Sequence, residues 1–308
     1  MDRDLYSAEE VEGYLQPGGG TQGIQERIKN KGNMAVWGRT LLLILLALTI
    51  VFPLYMTVII AFKQPTEMTN DVSGALALPK HFSFQNFIQA IQTTDFFHTI
   101  GNSLFITIVT LIVVVIFHSM AAYAIGRKMN KHKSFNFLYL YFISGMFVPF
   151  SMLMLPLVKE TSIIGIDNKL GLIILYTVFF FPMNLLLYTG YLKNIPLALE
   201  EAAYVDGATT WTTFWKVIFP LLKPMHATVI VLTALSVWND VMTPLVILSG
   251  GSGKDTTLPL AQLLFQTQFG TNYNLAFASY LLALVPILIL YLFAQKQIIN
   301  GVVNGSVK

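Results

Sequence analysis

The sequence predicts an all-α membrane protein with several spanning helices, and composition, hydropathy and charge all support this fold class. Of the 308 residues, 55% are hydrophobic and only 11% are charged, whereas about 25% are charged in an ordinary soluble domain. A mean hydropathy of +0.63 and long apolar runs between polar segments are typical of a polytopic membrane protein. The net charge of +3 is small and scattered, which argues against nucleic acid as a partner.

Six apolar segments are long enough to cross a bilayer as helices. They cover approximately residues 41–62, 100–125, 135–158, 170–192, 227–248 and 276–293. Prolines interrupt several of them, and Pro149, Pro156 and Pro182 are predicted to bend helices that line a cavity.

The positions of lysine and arginine predict the orientation, because cytoplasmic loops carry more of these residues than outer loops do. With the N-terminus inside, 14 of the 19 Lys and Arg residues fall on the cytoplasmic side and five on the outer side. Both termini and residues 194–224 are therefore expected in the cytoplasm. Residues 1–33 are interpreted as a solvated tail or short surface helix, with a docking role as the alternative. Residues 301–308 are expected to form a short, flexible tail.

The longest polar interruption in the second half of the chain is residues 194–224, named here the hairpin segment. Pro196 suits a first helical turn, residues 197–205 favour helix, and Gly207 is placed to end that helix in the left-handed conformation. The Asp206 carboxylate lies at the unfavourable end of the helix dipole, so it is expected to accept backbone N–H bonds from the following turn. A helix lying on the lipid surface needs no such break, which favours docking onto another protein.

A second short helix is expected after the glycine. Thr209 or Thr210 can cap its start, and Pro220 and Pro224 are expected to close it. Its apolar residues recur at helical spacing and predict a single apolar face, which is made by Trp211, Phe214, Trp215 and Ile218.

The hairpin segment also carries a motif. Its positions are Glu201, Ala202, Ala203, Asp206, Gly207, Ala208, Phe214 and Pro220. This spacing resembles the EAA loop of binding-protein-dependent ABC importer permeases, and more narrowly that of the MalG-type permeases of the carbohydrate-uptake family. The resemblance covers residues 36–308 and extends to FHTIGNSLFITI, AAYAIGR, WNDVMTPL, TLPLAQLLF and QKQIINGVVNGSVK.

The resemblance implies a type I ABC importer permease fold with six transmembrane helices and both termini cytoplasmic, in the bacterial cytoplasmic membrane. It implies four parts. These are an N-terminal tail (1–35), a first transmembrane helix with an outer loop (36–97), a five-helix core containing the hairpin segment (98–297) and a C-terminal tail (298–308). In the family that last tail reaches between two ATPase subunits.

The function implied by the resemblance is the import of a sugar, with an oligosaccharide favoured, by alternating access. A homologous second permease would complete the pathway, an ATPase dimer would bind below, and an extracytoplasmic solute-binding protein would dock above. ATP and Mg²⁺ would be held by the ATPase, so this chain would be no enzyme and would carry no cofactor or metal.

The alternative is the same type of importer for another solute, such as glycerol-3-phosphate. A secondary transporter is disfavoured because the spans lack a buried charge relay, and a receptor or scaffold without transport is a third class.

In this family the hairpin segment is the coupling helix, which sits in a cleft of the ATPase subunit. The resemblance assigns the transmission of ATPase closure to Glu201, Ala202, Ala203, Gly207 and Phe214. The residue types suit a docking surface, because alanines permit close approach of another backbone and Glu201 offers a carboxylate to a basic or hydroxyl group.

Asn239 and Asp240 are the candidates for the translocation path. They lie in or near the outer half of the fifth span, where an ionisable group indicates function by default. Asp240 is equally compatible with an interfacial acid or with a packing bond to a neighbouring helix. The isolated His118 and His226 are expected at membrane interfaces. No residues have metal-ligand spacing or form a nucleophile–base pair, and the absence of cysteine excludes disulfide and thiol chemistry.

Overall fold

The structure is a computed structural model that describes residues 21–69, 74, 76–248, 253–267 and 270–306. In this part of the chain the prediction of a helical protein is confirmed. Apart from the helices and their connections, the described residues contain one antiparallel pair of two-residue strands, β1 (Gln266–Thr267) and β2 (Gly270–Thr271). The first 20 residues of the predicted N-terminal tail lie outside the described residues.

The described helices, in chain order, have the following bounds: α1 Thr21–Phe62, α2 Thr66–Thr69, α3 Gln85–Thr93, α4 Phe96–Gly126, α5 Lys133–Ser144, α6 Phe150–Ile164, α7 Lys169–Leu192, α8 Ala198–Val205, α9 Thr210–Thr213, α10 Phe219–Leu221, α11 Lys223–Asn239, α12 Met242–Ile247, α13 Leu258–Ala261 and α14 Tyr273–Ser306. Short 3₁₀ turns cover Gly145–Phe147 and Gln262–Phe265, and a π-helical turn covers Phe214–Ile218.

The chain divides into two units between Thr57 and Val58. In the first unit the described residues belong to α1, and the side chains of residues 36–55 are exposed on every side of the helix. Such an apolar, exposed helix is suited to lipid contact. α1 begins at Thr21, well before the predicted start near residue 41, because no proline interrupts the polar residues that precede the apolar run.

The second unit contains the remaining helices, and several predicted spans are bent in it. In the whole described chain three helices are long and apolar enough to cross a bilayer alone, namely Val36–Phe62, α4 and α7. Two bent pairs raise this number to as many as five: α5 with α6 at 98°, and Thr210–Leu221 with α11 at 72°. α14 contributes a shorter apolar stretch, Tyr273–Ile289. Six spans and their orientation stay a prediction.

The third predicted span breaks at Pro149, as its sequence indicates. Val148 and Pro149 are extended, because the residue before a proline is disfavoured in the helical region. Pro156, in contrast, lies inside α6 without ending it.

Two further sequence predictions are wrong about continuity. The fifth span was expected to run unbroken over residues 227–248, but α11 ends at Asn239 and Asp240 is extended. The C-terminal tail was expected to be short and flexible, but α14 continues to Ser306.

The two long helices α4 and α7 form the centre of the second unit. At Gly126 they approach so closely that a Cβ atom would lie 3.2 Å from Cγ2 of Thr189. One buried cluster surrounds this approach and includes Tyr123, Leu185 and Tyr188 together with Phe214 and Ile218 of the hairpin segment. The hairpin segment is therefore packed directly against the ends of both long helices.

Both isolated histidines are buried within the protein, and their placement near the membrane interfaces stays a prediction. His118 is 1% exposed. Its Nδ1 lies 3.2 Å from the side-chain nitrogen (Nδ2) of Asn184, and that nitrogen also lies 3.4 Å from Thr233 Oγ1. His226 Nδ1 lies 2.8 Å from the Tyr188 hydroxyl oxygen. Each histidine thus joins two helices, as buried polar groups must find partners.

Polar side chains also fix the loop that precedes α13. The Asn102 amide of α4 donates to the backbone oxygens of Lys254 and Thr256, each at 2.9 Å. Lys169 at the start of α7 forms an ion pair with Asp255 at 3.3 Å. These bonds hold the loop against the N-terminal ends of α4 and α7, which are the ends away from the hairpin segment.

Gly171→Ala is expected to destabilise the protein, because a Cβ atom there would lie 1.7 Å from the backbone oxygen of Ile166. Gly190→Ala in the same helix meets no atom within 4 Å. It should be neutral or stabilise by up to about 1 kcal/mol, since alanine favours a helix over glycine. Thermal unfolding in detergent, followed by tryptophan fluorescence, should show a lower midpoint for Gly171→Ala alone. Equal midpoints would contradict the close approach.

Candidate functional site

The first arm of the hairpin segment is α8, which ends at a glycine as its sequence predicts. Gly207 has φ +82°, a backbone conformation that glycine adopts without a steric penalty. The N–H of Gly207 donates to the oxygen of Tyr204 and the N–H of Ala208 to the oxygen of Ala203, at 3.0 and 2.9 Å. These two bonds form a glycine C-cap. In the described chain no backbone N–H donates to the Asp206 carboxylate, so that part of the prediction is wrong.

The second arm is less regular than predicted. Thr209 caps α9 by accepting a hydrogen bond from the N–H of Thr212 at 3.2 Å, but the chain then widens into the π-helical turn Phe214–Ile218. Pro224 lies in the first turn of α11 instead of closing the second arm. Leu222 connects the last short helix to α11, and the chain bends by 72° between them.

The π-helical turn changes which aromatic residues face the protein. Phe214 and Ile218 are buried and Trp215 is half-buried, but Trp211 is 61% exposed, so the predicted single apolar face is wrong for Trp211. One extra residue in the turn rotates the residues before it relative to those after it. The Phe214 ring lies 5.6 Å from that of Tyr123 in α4.

The predicted motif residues separate into an outer surface and an inner contact. Glu201, Ala202, Asp206, Gly207 and Pro220 are exposed, Ala203 and Ala208 are half-buried, and Phe214 is buried. Apolar side chains extend the outer surface, since Val205 is 88% exposed and Trp211 is 61% exposed. We name the exposed residues from Glu201 to Trp211 the outer face of the hairpin segment. A mixed apolar and acidic surface of this kind is suited to binding another protein.

A buried ion pair fixes the inner side of α8. Glu200 is 5% exposed, and its Oε1 accepts a hydrogen bond from Nε of Arg127 at 2.6 Å. Its Oε2 accepts a hydrogen bond from the Tyr123 hydroxyl at 2.8 Å. Sequence reasoning missed this pair. The available signal was the pair of adjacent glutamates, because neighbouring residues lie about 100° apart on a helix and cannot share one face.

A second candidate site is a cavity of about 1370 Å³ between α4, α5, α6, α7 and α11. Aromatic rings form much of its wall, among them Tyr141, Phe142, Phe180 and Phe181. The polar groups are few and include Ser236 and both predicted path residues, Asn239 and Asp240. A large apolar cavity with a few converging polar groups is typical of a small-molecule site.

Asp240 lines this cavity but is occupied by internal bonds. Its Oδ1 accepts hydrogen bonds from the N–H groups of Met242 and Thr243, at 2.9 and 3.3 Å. Its Oδ2 accepts one from the Tyr176 hydroxyl of α7 at 3.0 Å. The carboxylate thus caps α12 and binds a neighbouring helix, which supports the interpretation of a packing bond.

Asn239 also lines the cavity. Its side-chain amide donates to the Leu235 oxygen at 2.8 Å, and its side-chain oxygen has no partner in the described part of the chain.

Among the described residues, no three His, Asp or Glu side chains converge to hold a metal ion.

Comparison with known proteins agrees with the fold and identifies a family. A family model described as "Binding-protein-dependent transport system inner membrane component" matches residues 119–303. A bacterial ABC transporter involved in the import of the acidic polysaccharide alginate has a similar fold, with a TM-score of 0.72 and 22% sequence identity. The match covers 88% of this chain and 97% of that one.

Named relatives are similar over most of their length. The multiple sugar-binding transport system permease protein MsmG of Streptococcus mutans is 40% identical, over 91% of this chain and all of that protein. The probable starch degradation products transport system permease protein AmyC of Thermoanaerobacterium thermosulfurigenes is 33% identical, over 87% of this chain and 96% of its own. The melibiose/raffinose/stachyose import permease protein MelC of Bacillus subtilis is 31% identical, over 87% and 95%.

Asp240→Ala is expected to lower stability more than Asn239→Ala does. The first change removes three hydrogen bonds and leaves two backbone N–H groups and the Tyr176 hydroxyl without their acceptor. Hydrogen bonds to a charged group contribute about 1.5–3 kcal/mol. The second change removes one bond between an exposed side chain and its own helix. Thermal unfolding in detergent measures both, and an equal loss in the two variants would show that the Asp240 bonds contribute little.

Proposed function

Because the chain belongs to the family of binding-protein-dependent transport system inner membrane components, we propose that it imports an oligosaccharide with energy from a separate ATPase. It is a sugar ABC transporter permease of the cytoplasmic membrane. In the proposal an ATPase dimer binds ATP and Mg²⁺, a homologous second permease completes the pathway, and an extracytoplasmic solute-binding protein delivers the sugar. The observation that carries the proposal is the outer face of the hairpin segment, which is exposed although its other side is firmly held.

The outer face is proposed to dock into the ATPase subunit. Val205 and Trp211 are large apolar side chains that gain about 1.5–3 kcal/mol each when a partner buries them fully. Ala202 and Ala203 leave space for a close approach, and Glu201 offers an acceptor for a basic group. Phe214 and Pro220 belong to the arm that joins this surface to the cores of α4 and α7, so their proposed role is to transmit the movement of the surface.

The cavity is proposed to be this chain's share of the sugar pathway. Aromatic rings suit the apolar faces of sugar rings, and the Asn239 side-chain oxygen and the Ser236 hydroxyl can accept hydrogen bonds from sugar hydroxyls. Asp240 then acts mainly by holding the wall in shape, since its oxygens already accept three bonds. The second permease would cover the open side.

The cavity favours a neutral cargo over an anionic one such as glycerol-3-phosphate. Its described lining contains no lysine or arginine, whereas a phosphate group is normally bound by such side chains or by helix N-termini. The names of the relatives support a sugar of several units, since they include multiple sugars, starch degradation products, and raffinose and stachyose.

The terminal segments, 1–35 and 298–308, are proposed to lie on the ATPase side.

Uptake into proteoliposomes tests the proposal. They would contain this permease with the second permease and ATPase of its own transport system, and with the binding protein added. Radiolabelled maltotriose and raffinose are the probes, and glycerol-3-phosphate is the comparison. We expect ATP-dependent uptake of at least one oligosaccharide and none of glycerol-3-phosphate. Uptake driven by an ion gradient without ATP would favour a secondary transporter, and no uptake of any probe with all partners assembled would favour a non-transporting receptor.

Gly207→Pro should abolish ATP-driven uptake while the permease remains in the membrane, because proline fixes φ near −65° and the position requires +82°. Gly207→Asn is the matched control, since asparagine tolerates the left-handed region and a Cβ atom there meets nothing within 4 Å. It should retain most of the uptake. Normal uptake in the proline variant would remove the hairpin segment from the coupling mechanism.

A further inference from the structure

The buried pair of Arg127 and Glu200 joins the hairpin segment to the rest of the permease. We propose that this pair is the link through which displacement of the hairpin segment reaches α4 and, through α4, the cavity. Glu200 and Arg127 would then be positioning residues for transport, with a role separate from that of the exposed Glu201. The inference rests on the proposed function of the hairpin segment as the ATPase-docking element.

A single guanidinium group connects three elements. Besides its bond to Glu200 of α8, Arg127 donates from its two terminal nitrogens to the backbone oxygens of Leu192 and Ile195, each at 2.9 Å. The first oxygen belongs to the last residue of α7, and the second lies in the connection between α7 and α8. Arg127 itself follows the last residue of α4. Only the planar, five-donor arginine side chain can bond in all these directions at once.

The carboxylate of Glu200 is held on both oxygens by one helix. Tyr123 and Arg127 are four residues apart, so they lie on the same face at the end of α4. One binds Oε2 and the other binds Oε1. Glu200 therefore has a fixed position relative to α4, and hydrogen bonds to charged groups have a narrower geometry than apolar contacts.

The link lies directly behind the docking surface. Glu201 and Ala202 are exposed, whereas Glu200 is buried on another side of the same short helix. A partner that displaces α8 therefore displaces the Glu200 carboxylate with it. The contacts of Phe214 also connect the hairpin segment to α4, but apolar contacts are non-directional and can slide.

Displacement of the end of α4 would reach the cavity along the helix. Val113, Phe117, His118 and Ala121 of α4 line the cavity. At 1.5 Å per residue they lie about 9–21 Å from Arg127 along the axis. No chain break intervenes, because α4 is continuous from Phe96 to Gly126. The close approach at Gly126 also means that α7 moves with α4.

A buried ion pair is a weak source of stability, since replacement by apolar residues of similar size is often neutral. This property separates a linking role from a merely structural one. The double variant Arg127→Met with Glu200→Met should therefore insert and bind the ATPase, although the oxygens of Leu192 and Ile195 also lose a donor. The control is Lys128→Met, which removes the cation next to Arg127 in the same connection. The Lys128 ammonium group lies over the Phe135 ring and does not bind Glu200.

The measurement is the amount of sugar taken up per ATP hydrolysed in the assembled complex, with raffinose and maltotriose as probes. The double variant should retain ATPase binding, and its uptake per ATP should fall by at least about fivefold, the lower end of typical coupling between sites. Arg127→Lys should also lower the ratio, because lysine cannot bond to Glu200 and both carbonyls together. Lys128→Met should match the wild type. A wild-type ratio in the double variant would overturn the inference.

Cysteine cross-linking provides a second test if the methionine variant does not assemble. The chain contains no cysteine, so Arg127→Cys with Glu200→Cys can be bridged in this chain by a short bis-methanethiosulfonate, which forms a disulfide with each thiol that reduction can break. Bridging should restore uptake per ATP, and reduction should abolish it again. A bridged complex that hydrolyses ATP without recovery of uptake would contradict the link. Failure of the wild type to show ATP-dependent uptake would instead contradict the proposed function itself.

Discussion

Polar groups at the breaks of buried helices must find partners inside the chain, because neither the protein interior nor lipid supplies water to bond them. Arg127 donates to the oxygens of Leu192, the last residue of α7, and of Ile195 just after it. Asp240 accepts from the first N–H groups of α12, and the His226 ring bonds the Phe219 oxygen at the 72° bend. Each break thereby has a defined shape. The features proposed to act in transport, the hairpin segment and the cavity wall, are formed at these breaks.

The hairpin segment combines a fixed inner side with a free outer side. Glu200 is tied to α4 by two hydrogen bonds, while Glu201, the next residue, is exposed. A helix of only eight residues would be marginal alone, so these tertiary bonds and the packing of Phe214 hold α8 in place. An exposed surface on a firmly held element can transmit a displacement that a flexible loop would absorb.

The same helices that hold the hairpin segment form the cavity. α4 and α7 pack along each other, receive the hairpin segment at one end, and contribute lining residues such as Phe117 and Tyr176. The bend at Pro149 directs α5 and α6 around the remaining wall. Movement at one end of this helix pair is therefore connected to the shape of the cavity by continuous helix.

The sequence by itself determined the membrane class, the helical fold, the long helices α4 and α7, and the turn at Gly207. These depend on local properties: the length of an apolar run, or one residue's backbone conformation. Only the tertiary structure decided which glutamate turns inward, that the fifth span breaks at Asp240, how the π-helical turn exposes Trp211, and that His118 and His226 are buried. Arg127 and Glu200 are 73 residues apart, and Tyr176 and Asp240 are 64 apart. Local periodicity contains no information about such pairs, because helix packing alone brings them together.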